Sequence, residues 1–238
     1  MIDAKQVKEL QTELEFLYRV ASSVHSLEIG ELLAEIVRIA SQISRSDSCL
    51  IYVYDAKKQE LVLRASQNPH PELLRKIKMK LGEGITGWVA KEKQPVVIES
   101  GANHDSRFKY FRSLPEDKFA AFLSVPIVNK IGIVGVINVQ HQLPHKYKAR
   151  EINLLMAIGK LVGGAIENAL LVEETLELKE TLEFRKLVER AKGILMKHQK
   201  IDEATAYTKI QKESMRSRKS IKEIAETIIL AEKLKLGA

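Results

Sequence analysis

A single cysteine, Cys49, stands in a chain of 238 residues. One thiol excludes an internal disulfide, a cysteine-rich zinc site and an iron–sulfur cluster held by the chain's own cysteines. Cys49 heads an apolar run, the place of a small core residue. Long hydrophobic runs are missing too: no stretch approaches the roughly 18 consecutive apolar residues of a membrane span. Met1-Ile2-Asp3 does not begin a signal peptide. The expected compartment is the cytoplasm, with no membrane partner. Among the six histidines, His141 and His145 are four apart but bracket Pro144, so they share no regular helix. No Ser/His/Asp constellation and no P-loop is present. Nothing in this inventory argues for catalysis, and no metal or cofactor is expected.

What is present is a globular composition, 45% hydrophobic and 29% charged. The net charge of +7 is unevenly spread: from Arg185 onward 14 Lys/Arg stand against 7 Asp/Glu, and upstream there are 24 of each. A concentrated basic segment fits either a polyanion partner, most simply nucleic acid, or a solvated helical face.

In chain order, Val7, Leu10, Leu14, Leu17, Ala21 and Val24 form a narrow seam on a helix over 4–25. Leu32, Leu33, Ile36, Val37 and Ala40 define a second amphipathic helix over 27–43. From Cys49 the period becomes two, predicting strands over 49–54, 61–65, 94–98, 122–128 and 133–139. A helical Pro-Glu-Leu-Leu-Arg segment is expected at 71–75, and a long helix with Ile152, Leu155, Ile158, Leu161, Val162 and Ile166 follows the sheet. Helices, then strands, then a helix give an α+β domain, an antiparallel sheet flanked by helices.

Several pieces of this region, in this order, resemble the GAF domain, a small-molecule sensor. They are Gly82-Glu83-Gly84-Ile85-Thr86-Gly87, Asp105-Ser106-Arg107-Phe108, Ser124-Val125-Pro126-Ile127, Gly132–Asn138 and Ala165-Ile166-Glu167-Asn168-Ala169. The glycine run also satisfies G-x-G-x-x-G, but Pro95 stops the following helix after about two turns, too soon for a dinucleotide crossover. Cyclic-nucleotide-binding GAF domains resemble one another in an Asn-Lys…Phe…Asp-Glu pattern. Here the matching positions read Asn138-Val139, Tyr147 and Glu151-Ile152, which counts against that ligand. A GAF-type methionine sulfoxide reductase needs several cysteines, so that enzyme is excluded. Trp88, Phe108, Tyr110, Phe111 and Phe119 cluster beside Asp105 and Arg107. These rings either wall a pocket for an unidentified small ligand or fill the core beneath a loop.

Beyond the sheet domain, Leu171, Leu178 and Leu182, with Thr175 and Arg185 as imperfect members, define a coiled-coil seam. The run Arg-Lys-Leu-Val-Glu-Arg-Ala-Lys-Gly-Ile-Leu-Met at 185–196 follows, with Asp202-Glu203-Ala204 and Tyr207 after it. This stretch resembles the ANTAR domain, a three-helix RNA-binding module of transcription antiterminators, over about 178–232. His198-Gln199-Lys200 ends its first helix where many relatives carry glycine. Asp202 caps the second helix, whose expected inward residues are Ala204, Tyr207, Thr208, Ile210 and Met215. Ser220 and Glu223 form a capping box before the third, with a stripe of Ile221, Ile224, Ala225, Ile228, Ile229 and Leu234.

The expected organisation is an N-terminal helix at 1–26, a GAF sensor at 27–170, a coiled-coil linker at 171–184 and an ANTAR domain at 185–238. The resemblance implies a regulator binding tandem stem-loops in leader transcripts, and the seams at 7–24 and 171–182 predict a homodimer through paired helices. Its RNA-contact candidates are Arg185, Lys186, Lys192, Gly193, Met196, Lys197, Tyr207, Arg216 and Arg218, with Lys192 expected outside the bundle. Its ligand candidates are Trp88, Asp105, Arg107, Phe108, Phe111 and Phe119. A GAF-regulated helix-turn-helix binding DNA is the alternative, since three short basic helices suit both.

Overall fold

A computed structural model describes residues 4–23, 28–68, 72–109 and 119–235. The chain divides into two compact units, Met1–Val172 and Glu173–Ala238. The first is built on a six-stranded sheet in the order β3-β2-β1-β6-β5-β4. Its strands are β1 (Ser48–Asp55), β2 (Glu60–Ser66), β3 (Lys78–Lys80), β4 (Val96–Ile98), β5 (Ala121–Val128) and β6 (Ile133–His141). Every neighbouring pair is antiparallel.

Both faces of the central strands are covered, which is why β1 reads as an unbroken apolar run. Cys49, Ile51 and Val53 point into one core with Leu123, Val125, Ile127, Ile137 and Val139. Helix α2 (Ile29–Ser44) covers that face through Leu32, Leu33, Ile36 and Ala40. The first part of α4 (Ala149–Gln199) joins it through Leu155, Ile158, Val162 and Ile166. Leu50, Tyr52, Leu61, Leu63 and Val136 face the other core, with Ile85, Val89 and Ala90 of α3 (Gly84–Glu92). Gly159 and Gly163 let α4 lie against β5: a Cβ at either would stand 2.4 Å from the Pro126 carbonyl oxygen or 2.1 Å from that of Val128.

The glycine run at 82–87 is a tight turn into α3, with Gly82 and Gly84 in the left-handed region at φ 81° and 69°. No crossover helix to a parallel strand follows; α3 ends after nine residues.

Three expectations are corrected here. Residues 72–76 form turns rather than a helix, because the Arg75 amide donates to Leu63 O of β2 at 2.7 Å. In α1 (Ala4–Ser23), Leu14 is 69% exposed and Ala21 is exposed, while Val20 is buried and Phe16 and Leu17 pack partly against the core. The Val7, Leu10 and Val24 side chains lie outside the described residues. Finally, α4 contains an 18-residue window of mean hydropathy 1.5, apolar and long enough to cross a membrane. Lys160 and Glu167 interrupt its consecutive apolar run, so a count of unbroken residues misses it. In the first unit this helix packs with α2 against the sheet.

Candidate nucleic-acid interface and sensor cluster

The second unit holds the end of α4, α5 (Glu203–Ser217) and α6 (Ile221–Lys235). Their core is Val188, Ala191, Ile210, Ile224, Ala225 and Ile229, flanked by Leu187, Ile194, Leu195, Ile221 and Ile228. The ends are set by local bonds. Lys200 turns the chain after α4 in the left-handed region, φ 51°. Asp202 caps α5 by accepting from the Thr205 amide at 2.8 Å. At the start of α6, the Ser220 amide donates to Glu223 at 2.7 Å and the Glu223 amide donates back to Ser220 Oγ at 3.2 Å, a capping box.

On α5, Ala206 and Ile210 are the buried residues. Ala204 and Thr208 are exposed, as are Met215 (73%) and Tyr207 (38%), so the inward face is rotated from the expected one. The four-residue step from Ala206 to Ile210 sets that face, and the charged neighbours turn outward. Leu234 is likewise 68% exposed, outside the α6 stripe.

The basic face of α4 lies directly opposite its buried one. Val188 and Ala191 point inward, while Lys186, Arg190, Gly193 and Lys197 recur at spacings of four, three and four and are all exposed. Apart from its chain neighbours and the backbone of its own helix turn, nothing comes within 4 Å of a Cβ built on Gly193, so bare helix backbone lies between the cations. Arg185 and Met196 are exposed on the adjoining strip. On α5, Lys209, Lys212 and Arg216 share the outward face, and Arg218 follows as its left-handed C-cap at φ 57°. Arg216 is ion-paired with Glu213 at 2.9 Å.

Lys192 does not lie outside the bundle. Its side chain is 9% exposed, and Nζ stands 2.6 Å from both Glu189 and Glu203. Hydrogen bonds donated to Glu189 and then Glu203 hold the ammonium above the ordinary lysine range. The residue sits at the flank of the buried face, where a cation joins α4 to α5.

In the first unit, four of the sequence candidates for a ligand, Trp88, Asp105, Arg107 and Phe108, meet beside α3. Arg107 lies over the Trp88 ring, 4.9 Å from its centroid, and grips Asp105 with two bonds of 2.9 and 2.7 Å. That pairing keeps the Asp105 carboxyl below its ordinary range. Phe108 packs partly buried against the same core, and Phe119 is 7% exposed. Phe111 lies outside the described residues. Lys109 pairs with Glu83, the residue before α3. Asn138, which aligns with the cyclic-nucleotide pattern, is instead 1% exposed. It accepts from Ser124 at 2.7 Å and donates to Thr86 at 2.8 Å, tying α3 to the sheet.

Comparison with known proteins agrees with this division. The family model for the GAF domain matches residues 26–167, and that for the ANTAR domain matches residues 176–229. A protein of Escherichia coli strain K12 described as "Phosphoenolpyruvate-dependent phosphotransferase system" is 28% identical over 116 residues, 49% of this chain. The chain spans only 15% of that relative's length. The solved GAF domain from an Acinetobacter phosphoenolpyruvate-protein phosphotransferase superposes with a TM-score of 0.61 at 26% identity, covering 68% of this chain and 96% of that one. A free methionine-R-sulfoxide reductase from Neisseria meningitidis, at 18% identity, TM-score 0.56, and coverage of 67% and 90%, shares the fold alone. GAF and ANTAR domains are regulatory: one senses signals, and the other binds RNA in antitermination. The chain belongs to the GAF family and carries an ANTAR domain in its C-terminal part.

Proposed function

We propose that this protein is a signal-responsive antitermination regulator in which the GAF domain, 27–170, controls the ANTAR domain, 185–238, through the coiled-coil segment 171–184. The ANTAR domain holds two stem-loops of a leader transcript, one overlapping an intrinsic terminator, and so keeps the terminator hairpin from forming. The observation that carries this reading is the face of α4 where Lys186, Arg190 and Lys197 frame the bare backbone at Gly193. Cations supply phosphate affinity without sequence information, and unstacked loop bases supply specificity by stacking and edge contacts. Arg185, Met196, Tyr207, Arg216 and Arg218 extend that surface. Tyr207, half exposed, offers a ring for stacking.

Two stem-loops call for two ANTAR domains, and the linker supplies the pairing surface. Leu171, Leu178 and Leu182 are 56%, 63% and 53% exposed along one seam of α4, an unfavourable solvation that a parallel second copy relieves. On the sensor side, an indole, a guanidinium and a carboxylate at Trp88, Arg107 and Asp105 suit a small polar molecule with a flat or anionic group. Transcripts are the target, so the compartment is the cytoplasm. The test is transcription in vitro from a template carrying tandem leader hairpins before an intrinsic terminator. Added protein raises read-through, and a template with one hairpin deleted loses the effect. Unchanged read-through on the intact template refutes the reading.

A further inference from the structure

Where β6 ends and α4 begins, four titratable side chains are packed together. His141, the last residue of β6, and His145 stack with ring centroids 3.8 Å apart and planes within 3°. Tyr147 stands edge-on to both rings. His141 and Tyr147 are 7% and 5% exposed. His141 Nε2 lies 3.1 Å from the carbonyl oxygen of Ser44, the last residue of α2, and Nδ1 lies 3.0 Å from the Tyr147 hydroxyl. A carbonyl only accepts, so Nε2 carries the hydrogen, and in the neutral ring Nδ1 accepts from Tyr147.

The second ring is differently placed. His145 Nε2 is 3.7 Å from Glu151 Oε2, beyond hydrogen-bond reach. That nitrogen and Glu151 Oε1 are both buried without a hydrogen-bond partner. Glu151 belongs to the first turn of α4, and the His145 amide donates to Glu99 O at 2.9 Å. The other charged groups acting here are Asp47, facing His141, and Lys148, facing Glu151.

We propose that His141, His145 and Glu151 form a proton-operated latch at the root of α4. It is closed when the protonated Glu151 carboxyl donates to His145 Nε2, and opened when Glu151 loses that proton or His141 gains one. With that proton aboard, Glu151 and His145 need to close by only about 1 Å to bond, which satisfies the orphaned Nε2. Without it, a half-buried carboxylate faces a neutral ring, with Lys148 as its compensating cation. With a proton on His141, a buried cationic ring is stacked at van der Waals distance on its neighbour.

The electrostatics run the same way. Burial holds the Glu151 carboxyl above its ordinary range. Its contribution to stability is therefore present in acid and is lost as pH rises through the raised value. Burial, and then His145, hold His141 below its ordinary range. Its contribution is present above the ordinary histidine value and is lost as pH falls through the lowered one. Burial pushes Tyr147 far up, so it keeps its proton. The hydroxyl serves both states of His141: it donates to the neutral ring, or accepts from the charged one with its own hydrogen turned toward Val139 O, 3.4 Å away.

Hydrogen exchange by mass spectrometry on the full chain, at about pH 5, 7 and 9 with intrinsic rates corrected, tests this latch. In the wild type, protection of residues 147–156 falls at least roughly threefold toward the alkaline end of this range, as Glu151 loses its proton, while β5 stays level. Glu151→Gln keeps the carboxyl's size without its charge and abolishes the alkaline loss. The latch is overturned if the wild-type segment tracks β5 across the range, a result that needs no variant, or if Glu151→Gln loses protection at alkaline pH as the wild type does.

Discussion

Arg190 and Lys192 stand two positions apart on one helix and meet different surroundings. Arg190 is exposed on the face with Gly193; Lys192 is enclosed between Glu189 and Glu203. Arg190→Glu reverses a charge on the proposed RNA face without touching the core. It is expected to weaken hairpin binding at least tenfold, about 1.4 kcal/mol, with an unchanged circular dichroism melt. Lys192→Glu gathers three carboxylates and is expected to lower the melting temperature of the second unit instead. A folded Arg190→Glu protein that binds as the wild type does removes this face from recognition. The number of cations in the segment is visible in the sequence, but which of them is enclosed is not: Glu203 reaches Lys192 from another helix. The stacked histidines were hidden for a related reason. His141 and His145 share no helix, and it is the end of a strand and the loop after it that bring their rings together.

At the scale of elements, the contact between α4 and β5 can be tested with two adjacent glycines. A Cβ at Gly163 meets Val128 O at 2.1 Å, whereas one at Gly164 meets nothing within 4 Å. Gly163→Ala is expected to cost about 2–3 kcal/mol as β5 or the helix shifts. Gly164→Ala should gain up to about 1 kcal/mol of helix propensity. The single tryptophan, Trp88, lies in the first unit, so its fluorescence in urea reports that unit alone. Equal effects from the two substitutions contradict this packing. The long central strands and the first amphipathic helix of the sheet domain were legible in sequence: the apolar runs of β1, β5 and β6 between turn residues and the apolar stripe of α2 needed only composition and spacing. The turns at 72–76 were not, since a bond to the edge of β2 decides them. The inward face of α5 was misplaced by about one position, because one small residue, Ala206, and Ile210 are its buried members.

At the scale of the whole molecule, a sensor and an effector share the helix α4, and its exposed leucines are the proposed site of pairing. Leu178→Lys with Leu182→Lys places charge in that seam and is expected to turn a dimer into a monomer by light scattering at micromolar concentration. A monomeric wild type refutes the pairing outright. The order of the GAF pieces and the run at 185–196 made the two domains recognisable from sequence, whereas the rings beside Arg107 had to be located by the fold. The proposed recognition is of RNA rather than duplex DNA by the C-terminal unit. Its most direct test is a fluorescence-anisotropy titration of the full chain against a tandem RNA hairpin and a DNA duplex of equal length, at two salt concentrations. The hairpin is expected to bind at least tenfold more tightly, about 1.4 kcal/mol, with affinity falling steeply as salt is added. Equal or tighter binding of the duplex contradicts the account and favours a helix-turn-helix.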